Sequence, residues 1–167
     1  MRSFAYISVF ILALSLASCN WNKREDAMKM CNEITQINDS LNYMGKVWGD
    51  EFRIAVNTKD FSHLPPYRKQ IEDYIRSKTE HVKGMKDVGG SEKLRGSMLD
   101  ILRYENDSIV TKMMVFESYN GDTPDDTIQL SMNNLFSTTK ADLEKHDVMY
   151  RHIQEYADKN DFPRPIE

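Results

Sequence analysis

The chain has 167 residues, of which 40% are hydrophobic and 29% are charged, and its mean hydropathy is −0.60. This length suffices for one domain with a single core, and the many charged residues suit a solvated surface. The formal net charge of −4 argues against the basic surface that nucleic-acid binding requires, so we expect no nucleic-acid partner.

The first 18 residues have the three parts of an export signal. Arg2 gives a positive start, residues 4–14 form an apolar run, and small residues come directly before Cys19. The apolar run is shorter than the roughly 20 residues that a membrane-spanning helix needs, and polar and charged residues follow it closely. We therefore predict that residues 1–18 are a cleaved signal peptide and not a membrane span.

The end of this segment, Leu16-Ala17-Ser18-Cys19, resembles the lipobox of bacterial lipoproteins. The resemblance implies that the Cys19 thiol receives a diacylglyceryl group, that cleavage separates Ser18 from Cys19, and that the new amino group is often acylated as well, for example with palmitate. Acyl chains contribute about 0.8 kcal/mol per buried methylene, so two or three of them form a durable anchor. An ordinary signal peptide with an incidental cysteine is the alternative.

The predicted location is therefore the bacterial cell envelope, where acylated Cys19 contacts membrane lipid. Residues 19–24 are predicted to form a short lipidated tether before the first helix. Asn20 is not the aspartate that retains some lipoproteins at the inner membrane, which favours the outer membrane. Its periplasmic and surface faces both stay open, as does the oligomeric state.

Residues 25–160 are predicted to form an all-α domain, an antiparallel up-down-up-down four-helix bundle. Apolar residues recur at steps of three and four in four segments, and clusters of proline and glycine separate these segments. The segments are residues 24–57, 66–88, 92–119 and 124–158. The remaining residues, 161–167, are predicted to be an irregular tail.

The helix ends carry sequence signals of their own. Thr123 is predicted to cap the fourth helix, with Pro124 at its first position. Gly89 is predicted to adopt the left-handed conformation directly after the second helix, and Ser91 to cap the third.

Several positions are predicted from the helical period. Trp48 and Phe52 lie one turn apart on the apolar stripe of the first helix, so we expect Trp48 in the core; an exposed recognition aromatic is the alternative. Cys31 lies on the same stripe, and a small core residue is favoured over a reactive thiol. Three glycines inside helices are interpreted as points of close helix approach: Gly45, Gly49 and Gly96.

The sequence holds few patterns that carry chemistry. No pair among the four histidines has the zinc-binding i, i+4 spacing, and the Glu-x-x-His spacing of di-iron bundles does not occur. Asp142 and His146 lie one turn apart on the fourth helix, and we interpret them as an exposed pair rather than a metal site. Bundle cofactor sites need inward polar ligands on facing helices, and none is evident. We therefore predict no catalytic residue, no cofactor and no metal site.

The arrangement as a whole resembles the small, uncharacterised bacterial surface lipoproteins of the LIC-type family. The resemblance covers the lipobox, the length and the four helices. Its finer details are Asp60-Phe61, Gly89-Gly90, Asp125-Asp126 and Tyr156-Ala157-x-x-Asn160. The resemblance implies no activity and no catalytic residue.

Two classes of function stay open. The favoured one is a non-enzymatic, membrane-anchored binding or interaction module, with an unidentified envelope protein as a possible partner. The alternative is a bundle that carries a metal or haem cofactor, or an enzyme with a site between helices. Three residues also resemble acceptors of some bacterial periplasmic O-glycosylation systems, and whether they are modified stays open: Ser40, Ser108 and Thr127.

Overall fold

The computed structural model describes the backbone of residues 3–164 and the side chains of residues 23–164. Within these residues the chain is helical and has no strand, which confirms the all-α prediction. The predicted signal peptide, residues 1–18, and the predicted lipidation site, Cys19, lie outside the residues whose side chains are described.

Four helical segments follow one another along the chain. Helix α1 spans Ser3–Thr58, α2 spans Pro65–Gly84, α3 spans Glu92–Tyr104, and α5 spans Asp125–Lys159. Helix α3 continues without a break through a π-helical segment, Glu105–Val110, the short helix α4, Thr111–Val115, and a 3-10 turn, Phe116–Ser118. We call this continuous stretch, residues 92–118, the third rod. No helix in the part of the chain that the structure describes is both long and apolar enough to cross a bilayer.

The four segments share one hydrophobic core. Helices α1 and α3 each contact both α2 and α5, so the apolar stripe of every segment faces at least two others. Each segment contributes fully or nearly fully buried side chains to it: Ile34 and Leu41 from α1, Ile71 and Ile75 from α2, Met98 and Leu102 from α3, Met149 and Ile153 from α5. Burial of these stripes is the main force that holds the helices together.

The predicted core aromatic is confirmed. Trp48 is 3% exposed and stacks on Phe52, with ring centroids 5.0 Å apart and 6° between the planes. Phe116, from the end of the third rod, meets Phe52 edge-on at 4.5 Å. Cys31 is a free thiol with no exposed surface, and burial raises its pKa, as suits a core residue.

The second helix ends earlier than predicted. It stops at Gly84, where Met85 turns to an extended conformation. Gly89 does adopt a left-handed conformation, with φ of 58°, but within the following loop and not at the helix end. The Tyr156 hydroxyl donates to the Val88 carbonyl oxygen at 2.7 Å, so this loop packs against α5 instead of continuing α2.

Two predicted caps are also wrong in detail. Ser91 precedes α3 as expected, but its hydroxyl donates to Asp87 at 3.0 Å and does not cap the helix. Helix α5 begins at Asp125 with Pro124 at the cap position, one residue later than predicted. The Thr123 hydroxyl oxygen accepts from the Asn120 N–H at 3.0 Å, so it serves the preceding turn.

The interior glycines do not mark close approaches of helices. A Cβ atom added at Gly45, Gly49 or Gly96 would meet no neighbouring atom within 4 Å. Gly45 and Gly49 instead line a cavity beside α1, and Gly96 lines a groove between α2 and α3. Because glycine has no side chain, each of these three positions leaves open space beside its helix.

Candidate functional site

A cavity of about 610 Å³ lies between α1, the third rod and α5. Its volume falls within the roughly 300–1,000 Å³ of small-molecule sites. Most of its wall is apolar, and the exposed residues at its mouth include Arg53 and Phe136. The apolar side chains of the wall are Leu41, Trp48, Phe52, Ile109, Met113, Met132 and Leu135.

Two polar atoms in this wall are buried without a hydrogen-bond partner. One is Trp48 Nε1, a donor, and the other is Asp142 Oδ1, an acceptor. Both residues are more than nine-tenths buried, at 3% and 8% exposed. Leaving a buried polar atom unpaired costs about 1–3 kcal/mol, so two such atoms around one cavity mark a place where a ligand can supply the partners.

Asp142 belongs to a buried cluster with Glu105 and His146. One ligand atom from each of the three lies within 4.8 Å of the others, and no other such group of three occurs among the described side chains. His146 Nε2 donates to Asp142 Oδ2 at 3.2 Å. Exposed fractions of 9%, 8% and 6% for Glu105, Asp142 and His146 show that the predicted exposed pair is wrong.

The electrostatics of the cluster follow from its burial. Burial first, and then the negative charge of Asp142 and a hydrogen bond with it, together raise the pKa of Glu105 from 4.5 to about 8. Glu105 therefore keeps its proton near neutral pH and can donate it to Asp142 in a hydrogen bond. A protonated pair of this kind tolerates the apolar surroundings better than two carboxylates would.

Local structure on both sides holds the cluster in place. Glu105 opens the π-helical segment, where the widened turn changes the direction of successive side chains. On the neighbouring turns, the Tyr104 hydroxyl donates to the Thr138 carbonyl oxygen at 3.2 Å, and Lys145 Nζ donates to Asp100 Oδ2 at 2.6 Å. These two contacts fix the third rod against α5 around the carboxyl pair.

The sequence carried a signal for this cluster that the motif search missed. Glu105 stands three residues after Leu102 and four before Ile109, on the apolar stripe of the third rod. His146 stands three residues before Met149, on the stripe of α5. The apolar period of the fourth segment also takes in Leu143, and a helix phase that includes it points Asp142 outwards; Leu143 is in fact 64% exposed. Polar residues at stripe positions, such as Glu105 and His146, therefore indicate side chains that face the interior.

The other histidines are not brought together with His146. His63 Nε2 lies 3.5 Å from Glu51, and His81 Nε2 lies 2.5 Å from Glu33, both between α1 and the segment that follows it. Comparison of the chain with protein-family models, curated proteins and solved structures gives no match. Function therefore has to be inferred from the residues of the cavity.

Proposed function

We propose that this protein is a lipid-anchored lipoprotein of the bacterial cell envelope and binds a small, mainly apolar ligand without chemically changing it. In this proposal acylated Cys19 holds the chain at the outer membrane, as in the small surface lipoproteins that it resembles. The domain is an antiparallel up-down-up-down bundle, and the ligand lies in the cavity between α1, the third rod and α5.

The observation that carries the proposal is the pairing of an apolar wall with two unsatisfied polar atoms. Trp48 and Asp142, the residues that carry these atoms, both line the cavity. Specific small-molecule sites combine these two features, since apolar contact supplies most of the affinity and a few polar groups fix the orientation. The expected ligand therefore has an apolar body, an acceptor for the indole N–H and a donor for the carboxylate.

Anchoring is tested by radioactive palmitate labelling in the bacterium. The wild-type chain is expected to be labelled, and Cys19→Ala is expected to lose the label and to leave an unprocessed or unanchored precursor. A wild-type chain without label contradicts the anchoring part of the proposal.

The cavity is tested with N-phenyl-1-naphthylamine, a neutral dye whose fluorescence rises in apolar surroundings. Its amine can donate to Asp142, and its two ring systems suit the aromatic wall. The chain without residues 1–18 is expected to bind the dye, and Gly49→Leu is expected to prevent binding, because the new side chain would fill open space in the cavity.

Gly96→Leu is the matched control for this experiment. Gly96 is also a helix-interior glycine with open space at its Cβ position, but it lines the groove between α2 and α3. Dye binding is expected to persist in this variant. Equal dye fluorescence in the wild-type chain and Gly49→Leu would place the dye elsewhere and contradict the proposed site.

A further inference from the structure

We propose that Glu105, Asp142 and His146 bind one divalent first-row transition-metal ion beside the cavity. The inference goes beyond the proposed function and depends on neither lipidation nor an organic ligand. It rests on the donor set, on the spacing of the three side chains and on the unpartnered Asp142 oxygen.

The spacing of the cluster suits an ion with short bonds. Zinc binds histidine nitrogen and carboxylate oxygen at about 2.0–2.2 Å, which places neighbouring ligand atoms about 3.4 Å apart in a tetrahedral site. The three ligand atoms here already lie within 4.8 Å of one another. Small side-chain rotations therefore bring all three onto one ion.

The charges favour a divalent cation. Once the Glu105 proton has been released, the two carboxylates carry a formal charge of −2, which one divalent ion neutralises in a site where an uncompensated charge is costly. Asp142 Oδ1 is the independent observation that points to a ligand, because Asp142 lines the cavity and this buried atom has no donor among the described side chains other than the carboxyl proton of Glu105. A metal ion takes the place of that proton.

The nitrogen ligand and the cavity narrow the class of ion. Imidazole suits Zn²⁺, Fe²⁺ and their neighbours better than Mg²⁺ or Ca²⁺, which prefer oxygen ligands alone. Three protein ligands leave at least one coordination position open, as sites with an exchangeable water do. Glu105 and Asp142 line the cavity, so that position faces the space assigned to the ligand.

The site also has the rigidity that a metal centre needs. Glu105 belongs to the third rod, and the other two ligands belong to α5, so an ion would join the two segments. The contacts Tyr104–Thr138 and Asp100–Lys145 hold these segments together on both sides of the cluster. Preorganised ligands lose little conformational entropy on binding.

The test uses the full chain after treatment with a chelator, at one fixed pH. Isothermal titration with Zn²⁺ is expected to give one ion per chain, and Co²⁺ is expected to give the visible absorption bands of a low-symmetry site. Glu105→Gln, Asp142→Asn and His146→Gln are each expected to weaken Zn²⁺ binding by about 100-fold or more, above the loss typical of outer-shell partners. Zn²⁺ is also expected to raise the thermal midpoint of the wild-type chain but not of these three variants.

Glu105→Gln separates a metal ligand from a structural carboxyl. Glutamine has the shape of a protonated glutamate and can donate to Asp142, so the metal-free variant is expected to keep the circular dichroism spectrum of the wild-type chain. His81→Gln is the control, because His81 forms a histidine–carboxylate pair with Glu33 on the surface. Zn²⁺ affinity that is unchanged in Glu105→Gln, or reduced equally in His81→Gln, overturns the proposed site. A wild-type chain that binds neither ion overturns it as well, without affecting the dye experiment.

Discussion

Helix α5 carries two polar clusters that differ in how their hydrogen-bonding groups are satisfied. In the first, which we call the loop cluster, the side chains of Asp87, Ser91, Tyr156 and Asn160 connect the loop of residues 85–91 to α5. Ser91 donates twice to Asp87, and Tyr156 and Asn160 donate to the carbonyl oxygens of Val88 and Gly89. In the second, around the cavity, Trp48 and Asp142 each keep a buried polar atom without a partner.

The difference is between polar groups whose hydrogen bonds hold the fold together and polar groups that keep hydrogen-bonding capacity for the proposed ligand. A fully bonded cluster specifies one arrangement of its loop and leaves no capacity for a ligand. A cluster with unsatisfied polar atoms destabilises the folded chain. Clusters of this kind occur at binding sites, where a bound partner supplies the missing hydrogen bonds. Two motifs of the suggested lipoprotein resemblance, Gly89-Gly90 and Tyr156-Ala157-x-x-Asn160, meet in the loop cluster, where they hold the loop against α5.

The largest effect is expected from Trp48, which belongs both to the cavity wall and to the core. Trp48→Ala removes the stack with Phe52 and is expected to destabilise the domain by about 3–5 kcal/mol, a large share of the roughly 5–15 kcal/mol typical of domains. Urea unfolding measures the change. Tyr43→Ala, at a 68% exposed position of the same helix, is the control and is expected to leave the midpoint almost unchanged. An unchanged midpoint for Trp48→Ala would mean that the wall is not part of the core.

The next largest effect is expected in the pH dependence of the folding stability of the metal-free chain. This dependence comes from Glu105 beside the cavity and not from the loop cluster. The pKa of Glu105 is about 8 in the folded chain and 4.5 ordinarily, so between these values the folded state holds a proton that the unfolded state has lost. The contribution of Glu105 to stability is therefore full below pH 4.5 and is lost as the pH rises towards 8, by about a few kcal/mol in total.

Urea unfolding across this range, with chelator present, measures the slope. The other charged groups around Glu105 are Asp142, His146 and, at the cavity mouth, Arg53. Glu105→Gln leaves them in place and removes only the glutamate titration, so the difference between the two slopes belongs to Glu105. Parallel slopes would show that Glu105 ionises freely and that the carboxyl pair does not share a proton.

A smaller loss of folding stability is expected when a substitution disrupts the loop cluster. Gly89 has a φ of 58°, and a Cβ atom there would collide with the side chain of Asn160. Gly89→Ala is expected to cost about 1–3 kcal/mol through backbone strain, with the collision in addition. Gly121→Ala, in a loop with open space, is the matched control.

The double variant Gly89→Ala/Asn160→Ala separates the two contributions. It removes the collision but keeps the strain, so Gly89→Ala is expected to cost less in the Asn160→Ala background. An equal cost in both backgrounds would assign the whole effect to the backbone. Dye and Zn²⁺ binding are expected to survive in each variant, because the loop cluster does not line the cavity.

The sequence predicted the helices better than it predicted the site, for a physical reason. Helix existence follows from a period of apolar residues, which local sequence displays directly; the third rod, residues 92–118, nearly matches its predicted range. The prediction of the cluster depends on which side of α5 faces the core. Placing one leucine, Leu143, on the buried side was enough to put Asp142 on the exposed side. The π-helical segment at Glu105 and the early end of α2 at Gly84 have no signal in the local apolar period, which continues through both places.

The smallest effect on folding stability is expected from a substitution at Gly49, and this substitution is expected to stabilise the chain. A glycine inside a helix costs about 0.5–1 kcal/mol relative to alanine, and the Cβ atom of Gly49→Ala would meet no atom within 4 Å. The substitution is therefore expected to stabilise the ligand-free chain by that amount in urea unfolding. Gly96→Ala is expected to give the same gain, because Gly96 has equally open surroundings.

Only Gly49→Ala should also weaken dye binding, since its methyl group enters the cavity. If Gly49→Ala instead destabilises the chain, the space beside α1 is closed in solution, and the cavity loses its entrance from that side. A gain in stability together with weaker dye binding means that glycine at this position keeps room for a ligand at a measurable cost to the fold.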